Sequence, residues 1–86
     1  MATHKQALKR HRQSVGRAER NNYYKSTMRT YLKAARLDLA NGDKDAADES
    51  VARVSRYLDR VASRGVIPKL RASRVKSRLN RALAAL

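Results

Sequence analysis

The sequence contains no cysteine, no tryptophan and no phenylalanine. Without cysteine there is no disulfide framework and no thiolate metal site, a composition that fits a reducing cytosol. With only four tyrosines as aromatic residues, the chain lacks the bulk to fill a thick core. Its fourteen alanines suit two or three slender helices instead. One proline and three scattered glycines, Gly16, Gly42 and Gly65, leave few places to turn and no glycine-rich phosphate loop. The longest apolar run is the five residues Ala82–Leu86, far short of the ~20 that span a bilayer. The N-terminus has no apolar stretch of the secretory kind. At 86 residues the chain is at most one small domain.

The scarcest resource is negative charge. Twenty-one Lys and Arg face seven Asp and Glu, for a net +14. The distribution is sharper than the total. Residues 1–36 carry ten basic residues and one acid, residues 37–59 three and six, and residues 60–86 eight and none. A surface built for solubility mixes both signs. Two blocks almost free of acid point to a polyanionic partner, and nucleic acid is the leading one.

Two breaks divide the chain. Asn41 and Gly42 read as a helix stop, because Gly accepts the left-handed conformation past a helix end. Asp43 follows as an N-cap, with Asp45, Asp48 and Glu49 near the positive start of the next helix. Gly65 is the second stop, and Pro68 suits the first turn of a third helix. Thr3 and Gln6 have the spacing of a capping box. Helices are therefore expected at about 4–40, 44–64 and 68–85. Apolar residues recur in steps of three and four within each. Tyr24, Met28, Leu32, Ala35 and Leu39 mark the first seam. Ala47, Val51, Val54, Leu58 and Val61 mark the second. Ala72, Val75, Leu79, Ala82 and Leu86 mark the third. The fold these seams predict is all-α, an antiparallel three-helix bundle.

The helices differ in length. At 1.5 Å per residue the first is about 55 Å long and the others about 30 Å. Its seam is strong only from about residue 24. Earlier apolar residues, Leu8, Val15 and Ala18, are sparse, while Lys9, Arg10, Arg12, Arg17 and Arg20 read as pointing all round the cylinder. Within the single domain 1–86, residues 1–22 should therefore overhang residues 23–86, the bundle, as a basic rod. Gly16 weakens its middle, so the rod is expected to fray in the free protein and to order on a polyanion.

Nothing suggests catalysis. His4 and His11 lie in the basic rod, with no carboxylate or Cys spaced to join them. The six acids of residues 37–59 lack the pattern of a Ca²⁺ loop, and capping with charge balance accounts for them. No enzyme, cofactor, metal or small-molecule substrate is expected.

The basic residues form constellations instead. On the third helix Arg71, Arg74, Arg78 and Arg81 make one stripe, with Lys69 and Lys76 across the seam. Ser73, Ser77 and Asn80 lie on the face between them. Arg grips phosphate through paired hydrogen bonds, and small polar groups bond phosphate or ribose. The plainer reading is a solubilising face, yet such a face normally includes Glu. On the first helix Lys25, Arg29, Lys33 and Arg36 lie off the seam, and Asn21, Asn22 and Ser26 add neutral donors. Tyr23 points away from the seam and can stack on a base or sugar. Tyr24 and Tyr31 point toward it, and Tyr57 flanks the second seam. The second helix, with the acids, should face away from the nucleic acid. Charge spread over two helices and a rod, rather than focused on one recognition helix, favours folded RNA over DNA. A histone-like DNA-compacting protein is the alternative. A membrane-active cationic peptide is disfavoured, because no broad aromatic face opposes the charge.

The run ASRGVIPKLRASRVKSRL (residues 62–79) resembles the C-terminal region of the bacterial small-subunit ribosomal protein S-twenty family. Ala72, Arg74, Lys76, Ser77, Arg78 and Leu79 fit that family's Ala-x-Arg-x-Lys-Ser-Arg-Leu motif. Lys5, Ala7, Lys9, Arg10, Gln13, Arg17, Arg20, Asn21, Ser26, Met28, Arg29 and Thr30 also fall where the family has like residues. The Gly-Asp-Lys-x-Ala-Ala turn at 42–47 is similar too. The resemblance covers essentially the whole chain. It departs at Pro68, where the family usually has His, and at Leu70, where it often has Asn, so a polar RNA contact is not carried over to either. Gly16 and the Tyr23–Tyr24 pair are also unusual.

The resemblance implies a primary binder of small-subunit (16S) ribosomal RNA with a long first helix, cytoplasmic and within the ribosome. Its partners would be the RNA's 5′ domain and the long penultimate helix, with neighbouring small-subunit proteins beside them. The residues expected to touch RNA are then Lys5, Lys9, Arg10, Arg12, Arg17, Arg20, Asn21, Tyr23, Lys25, Ser26 and Arg29 on the first helix. On the third they are Lys69, Arg71, Ser73, Arg74, Lys76, Ser77, Arg78 and Arg81.

Overall fold

The computed structural model describes residues 3–86, with side chains from His4 onward. Three helices follow one another: α1 (Thr3–Asn41), α2 (Lys44–Ser63) and α3 (Lys69–Ala84). Each boundary lies within a residue of its expected place. Among the described residues there is no strand. The expected capping box depends on the Thr3 side chain, which lies outside the described set.

The two turns have specific causes. Gly42 adopts φ 72° and its N–H donates to the Leu39 carbonyl at 3.2 Å. Asp43 then caps α2, its Oδ1 accepting from the Ala46 N–H at 3.2 Å. Gly65 adopts φ 75° after α2. Its N–H donates to Ala62 O at 3.0 Å, and the Val66 N–H reaches back to Val61 O at 2.9 Å. This paired closure is a Schellman motif. It fixes Arg64 as the C-cap and turns Val66 and Ile67 onto the core, where Ile67 is buried.

Pro68 departs from its expected place. It is the N-cap of α3, not a residue of its first turn, with φ −62° and ψ 140°. The ring fixes φ but leaves ψ free, and the extended ψ keeps Pro68 outside the helix. Its carbonyl still accepts from the Ala72 N–H at 3.2 Å.

The core runs along α2, whose Ala47, Val51, Val54, Leu58, Val61 and Ala62 are buried against Met28, Leu32 and Ala35 of α1 and Ala72 and Leu79 of α3. Ser50 is the buried polar residue of this stripe, its hydroxyl donating to Ala47 O at 3.4 Å. Tyr31 and Tyr57 meet edge to face with ring centroids 5.2 Å apart, tying α1 to α2. The end of the third seam differs from expectation. Leu83, not Ala82, packs on the core, and Leu86 is exposed. The stripe proceeds by fours from Val75 through Leu79 to Leu83, and α3 stops at Ala84 before Leu86 can join it. Because α2 lies between its neighbours, α1 and α3 meet only sparingly, which leaves a groove between them.

No residue from His4 to Tyr23 is buried, and Leu8 and Val15 are 46% and 44% exposed. The overhang gives the molecule a radius of gyration of 17.5 Å, against about 12 Å for a compact chain of this length.

Two glycine substitutions should separate turn from overhang. A Cβ at Gly65 or Gly16 meets no atom within 4 Å, so backbone conformation decides both. Gly65→Ala should cost the bundle about 1 kcal/mol, because φ stays positive. Gly16→Ala should increase helix content with no change in bundle melting, since it removes roughly 1 kcal/mol of helix penalty in the overhang. Circular dichroism with thermal unfolding reads both. Equal melting temperatures for Gly65→Ala and wild type would refute the first.

Candidate nucleic-acid interface

The groove between α1 and α3 gathers positive charge. At its upper part Lys25, Arg29 and Arg36 of α1 face Arg71 of α3 across a floor of Met28, Leu32 and Ile67, enclosing ≈ 240 Å³. Further along, Arg36 and Arg78 flank a cavity of ≈ 200 Å³ floored by Leu39, Val75, Leu79 and Ala82. No acid lines either part. The α1 seam packs its apolar face inward, so the residues one step to the α3 side, 25, 29 and 36, must border this groove. Arg71 and Arg78 hold the matching edge of α3, seven residues apart.

The other expected α3 residues divide between two surfaces. Arg74, Ser77 and Arg81 are exposed on the outer face. Lys69 and Ser73 lie on the α2 side, around a cavity of ≈ 290 Å³ shared with Asp59 and Ser63. Lys76 has a partner within the protein: its Nζ donates to Asp59 Oδ1 at 2.6 Å, with the two side chains 30% and 62% exposed. Such a pair links α3 to α2 and is worth little on a surface, so it leaves Lys76, expected from the sequence to touch RNA, able to exchange partners. On the outer side of α2, Glu49 pairs with Arg53 at 3.7 Å, and Asp38 joins them around a shallow depression. The acids therefore line a different face from the groove.

On α1, Tyr23 is 68% exposed and meets the half-buried Tyr24 edge to face, with centroids 5.9 Å apart. Ser26 is exposed, and its carbonyl accepts from the Thr30 hydroxyl at 3.1 Å. Lys5, Lys9, Arg10, Arg12, Arg17, Arg20 and Asn21 are exposed along the overhang. The cations do not point all round it. α1 is continuous through Thr3–Asn41, and each residue turns by about 100°. Lys5, Lys9, Arg10, Arg12, Arg17 and Arg20 then share about one half of the cylinder, while His4, Leu8, His11 and Val15 share the other. The same rotation sets Lys25, Arg29, Lys33 and Arg36 on the side roughly opposite the overhang's cations. The positive face of α1 thus changes sides where the helix enters the bundle.

Sequence reasoning did not single out Arg64, and it placed Arg36 off the α1 seam without counting it among the expected RNA contacts. The Arg64 guanidinium lies 5.2 Å from the centre of the Tyr24 ring, in a cleft with Arg17, Arg20 and Asn21. Its signal was present: a cation directly before a helix-stopping Gly is carried by the C-cap. Arg36 is seven residues beyond Arg29 and so shares its face.

Among the described residues no three His, Cys, Asp or Glu side chains converge as a metal site, and no helix is long and apolar enough to cross a membrane. What the fold and surface define is a small, strongly basic, all-helical protein that presents charge along two of its helices. The chain belongs to the family described as Ribosomal protein S20, whose profile matches residues 2–84, a family of ribosomal proteins and not of enzymes. It is 46% identical over 79 residues to the small ribosomal subunit protein bS20 of Syntrophotalea carbinolica, covering 92% of this chain and 91% of that one. It is 45% identical over 86 residues to the bS20 protein of Bordetella avium, covering 100% of this chain and 99% of the relative.

Proposed function

We propose that this protein is a structural constituent of the small ribosomal subunit, working in the cytoplasm. It binds 16S ribosomal RNA directly and staples RNA helices together during assembly. The observation that carries this reading is the acid-free groove in which Lys25, Arg29 and Arg36 face Arg71 and Arg78. Its floor is aliphatic and its rims are almost all guanidinium, which suits a phosphate backbone followed by shape more than a base edge read by hydrogen bonds. The reversed positive face of α1 supports the stapling role. A protein with cations on opposite sides of one rod can lie between two RNA segments and offset their repulsion. Family membership and the relatives' small-subunit naming supply the partner. The RNA's 5′ domain and long penultimate helix are the regions that the family resemblance implies, with neighbouring small-subunit proteins beside them.

The test is affinity for a small-subunit RNA fragment and for duplex DNA across a salt series. Nonspecific binding should fall by roughly 10³–10⁵ between 50 and 200 mM salt if six to ten phosphates are contacted. The RNA fragment should still bind orders of magnitude more tightly than DNA at the higher salt. Equal affinities there would remove the ribosomal RNA reading in favour of a DNA-compacting protein.

A further inference from the structure

We propose that the cleft where the overhang joins the bundle is a seat for one phosphodiester of an RNA backbone, and that filling it locks the inner end of the overhang onto the bundle. This rests on the RNA-binding reading and adds a place and a consequence to it. A cavity of ≈ 460 Å³ opens there, lined by Arg17, Arg20, Asn21 and Tyr24 of α1 and by Arg64 at the end of α2. No acid lines it. The ion pairs among the described residues lie elsewhere, at Arg53 with Glu49 and Lys76 with Asp59. Three arginines therefore line one cavity with no acid beside them in its lining. An anion between them relieves their repulsion and accepts charge-assisted hydrogen bonds, paired where Arg presents its planar edge. Asn21 adds a neutral donor for a phosphate or ribose oxygen.

The three arginines belong to different parts of the molecule. Arg64 is carried by the bundle. Its backbone is fixed by the Gly65 and Val66 closures, at 3.0 and 2.9 Å. Its guanidinium rests against the Tyr24 ring, a contact that places the charge without using its hydrogen-bond donors. Arg17 and Arg20 ride on the overhang, directly after Gly16, the residue least suited to a helix interior. A phosphate gripped from both sides braces the turns between this weak point and the bundle. Tyr24 then acts as a positioning residue for Arg64, and Arg64 as the bundle's half of the seat.

The 86-residue protein can be titrated with inorganic pyrophosphate at constant ionic strength, following arginine Nε–Hε signals by NMR and backbone amide exchange. The proposal expects Arg17, Arg20 and Arg64 to shift together and saturably, and amides from about residue 17 to 23 to exchange several-fold more slowly. Tyr24→Phe should behave as wild type, Tyr24→Leu and Arg64→Lys should bind severalfold more weakly, and Arg64→Ala should lose saturation. Shifts that rise linearly and equally at Arg53, Arg74 and Arg81 would overturn the seat. Saturation with unchanged amide exchange, or strong protection of the overhang before any anion is added, would overturn the locking. With a small-subunit RNA fragment, Arg64→Ala should reduce affinity about tenfold and lower the salt slope by about one. Unchanged RNA affinity would refute the seat and leave the RNA reading intact. If wild type fails to prefer that RNA over DNA, the reading falls, and the pyrophosphate result still decides the seat.

Discussion

Leu58→Ala is expected to leave much of the protein unfolded at 37 °C in the absence of RNA. Leu58 is fully buried in the second half of α2 and is one of the largest side chains with no exposure. Removing a buried leucine side chain costs roughly 2–5 kcal/mol, with the higher values where the site cannot collapse. Here collapse is hindered, because α2 is held between α1 and α3 and its neighbours Val54 and Val61 are fully buried too. A bundle of this size has about 3–10 kcal/mol of stability in total. The core is also thin, with valine and alanine where larger domains place phenylalanine, so no second layer compensates. Urea unfolding followed by circular dichroism measures the loss. Leu8→Ala is the control: Leu8 lies on the overhang, 46% exposed, and should change stability little. Saturating RNA should partly restore the folded fraction, because a ligand at 100 times its Kd adds about 2.7 kcal/mol. A loss below about 1 kcal/mol for Leu58→Ala would show that the packing of α2 is not what holds the bundle.

The features readable from the sequence were those that act locally. Gly42, Asp43 and Gly65 punctuate the chain by backbone conformation and capping, and these depend on a few neighbouring residues. The α2 seam was equally plain, because Val51, Val54, Leu58 and Val61 repeat in steps of three and four in a helix packed on both sides. What was hidden depended on how the helices sit against one another. Ile67 is buried although it lies in a turn, where periodicity has no meaning. Ala82 and Leu83 are adjacent, and only the direction of α3's packing decides which one meets the core. Lys76 looked like its neighbours until Asp59, seventeen positions earlier, was brought to 2.6 Å. Arg64 joined Arg17 and Arg20 through a fold-back that no sequence spacing records. The reversal of α1's positive face was legible in principle from helix geometry alone. It belongs to the stripe that the cations form along a continuous helix, and no single cation reveals it.

Replacing Arg29, Arg36, Arg71 and Arg78 together with glutamine should weaken binding to a small-subunit RNA fragment by roughly three orders of magnitude near 0.1 M salt. All four are exposed, and glutamine keeps part of the aliphatic stem that covers the groove floor, so helix content and melting should stay close to wild type. The size of the loss follows from counterion release. Each phosphate contact contributes close to one unit to the slope of log affinity against log salt, so the slope should fall by about three to four. Total charge is a competing explanation, because a chain at +14 attracts any polyanion from a distance. A second variant separates the two. Arg53→Gln with Arg56→Gln and Lys44→Gln removes three charges from α2, whose outer side carries Glu49 beside Arg53. If placement governs binding, this variant should lose only a few-fold and keep nearly the full salt slope. A loss per charge equal to that of the groove variant would mean that the protein binds as a diffuse cation and that the groove has no privileged role. Unequal losses would tie binding to the geometry that α2 imposes by keeping α1 and α3 apart.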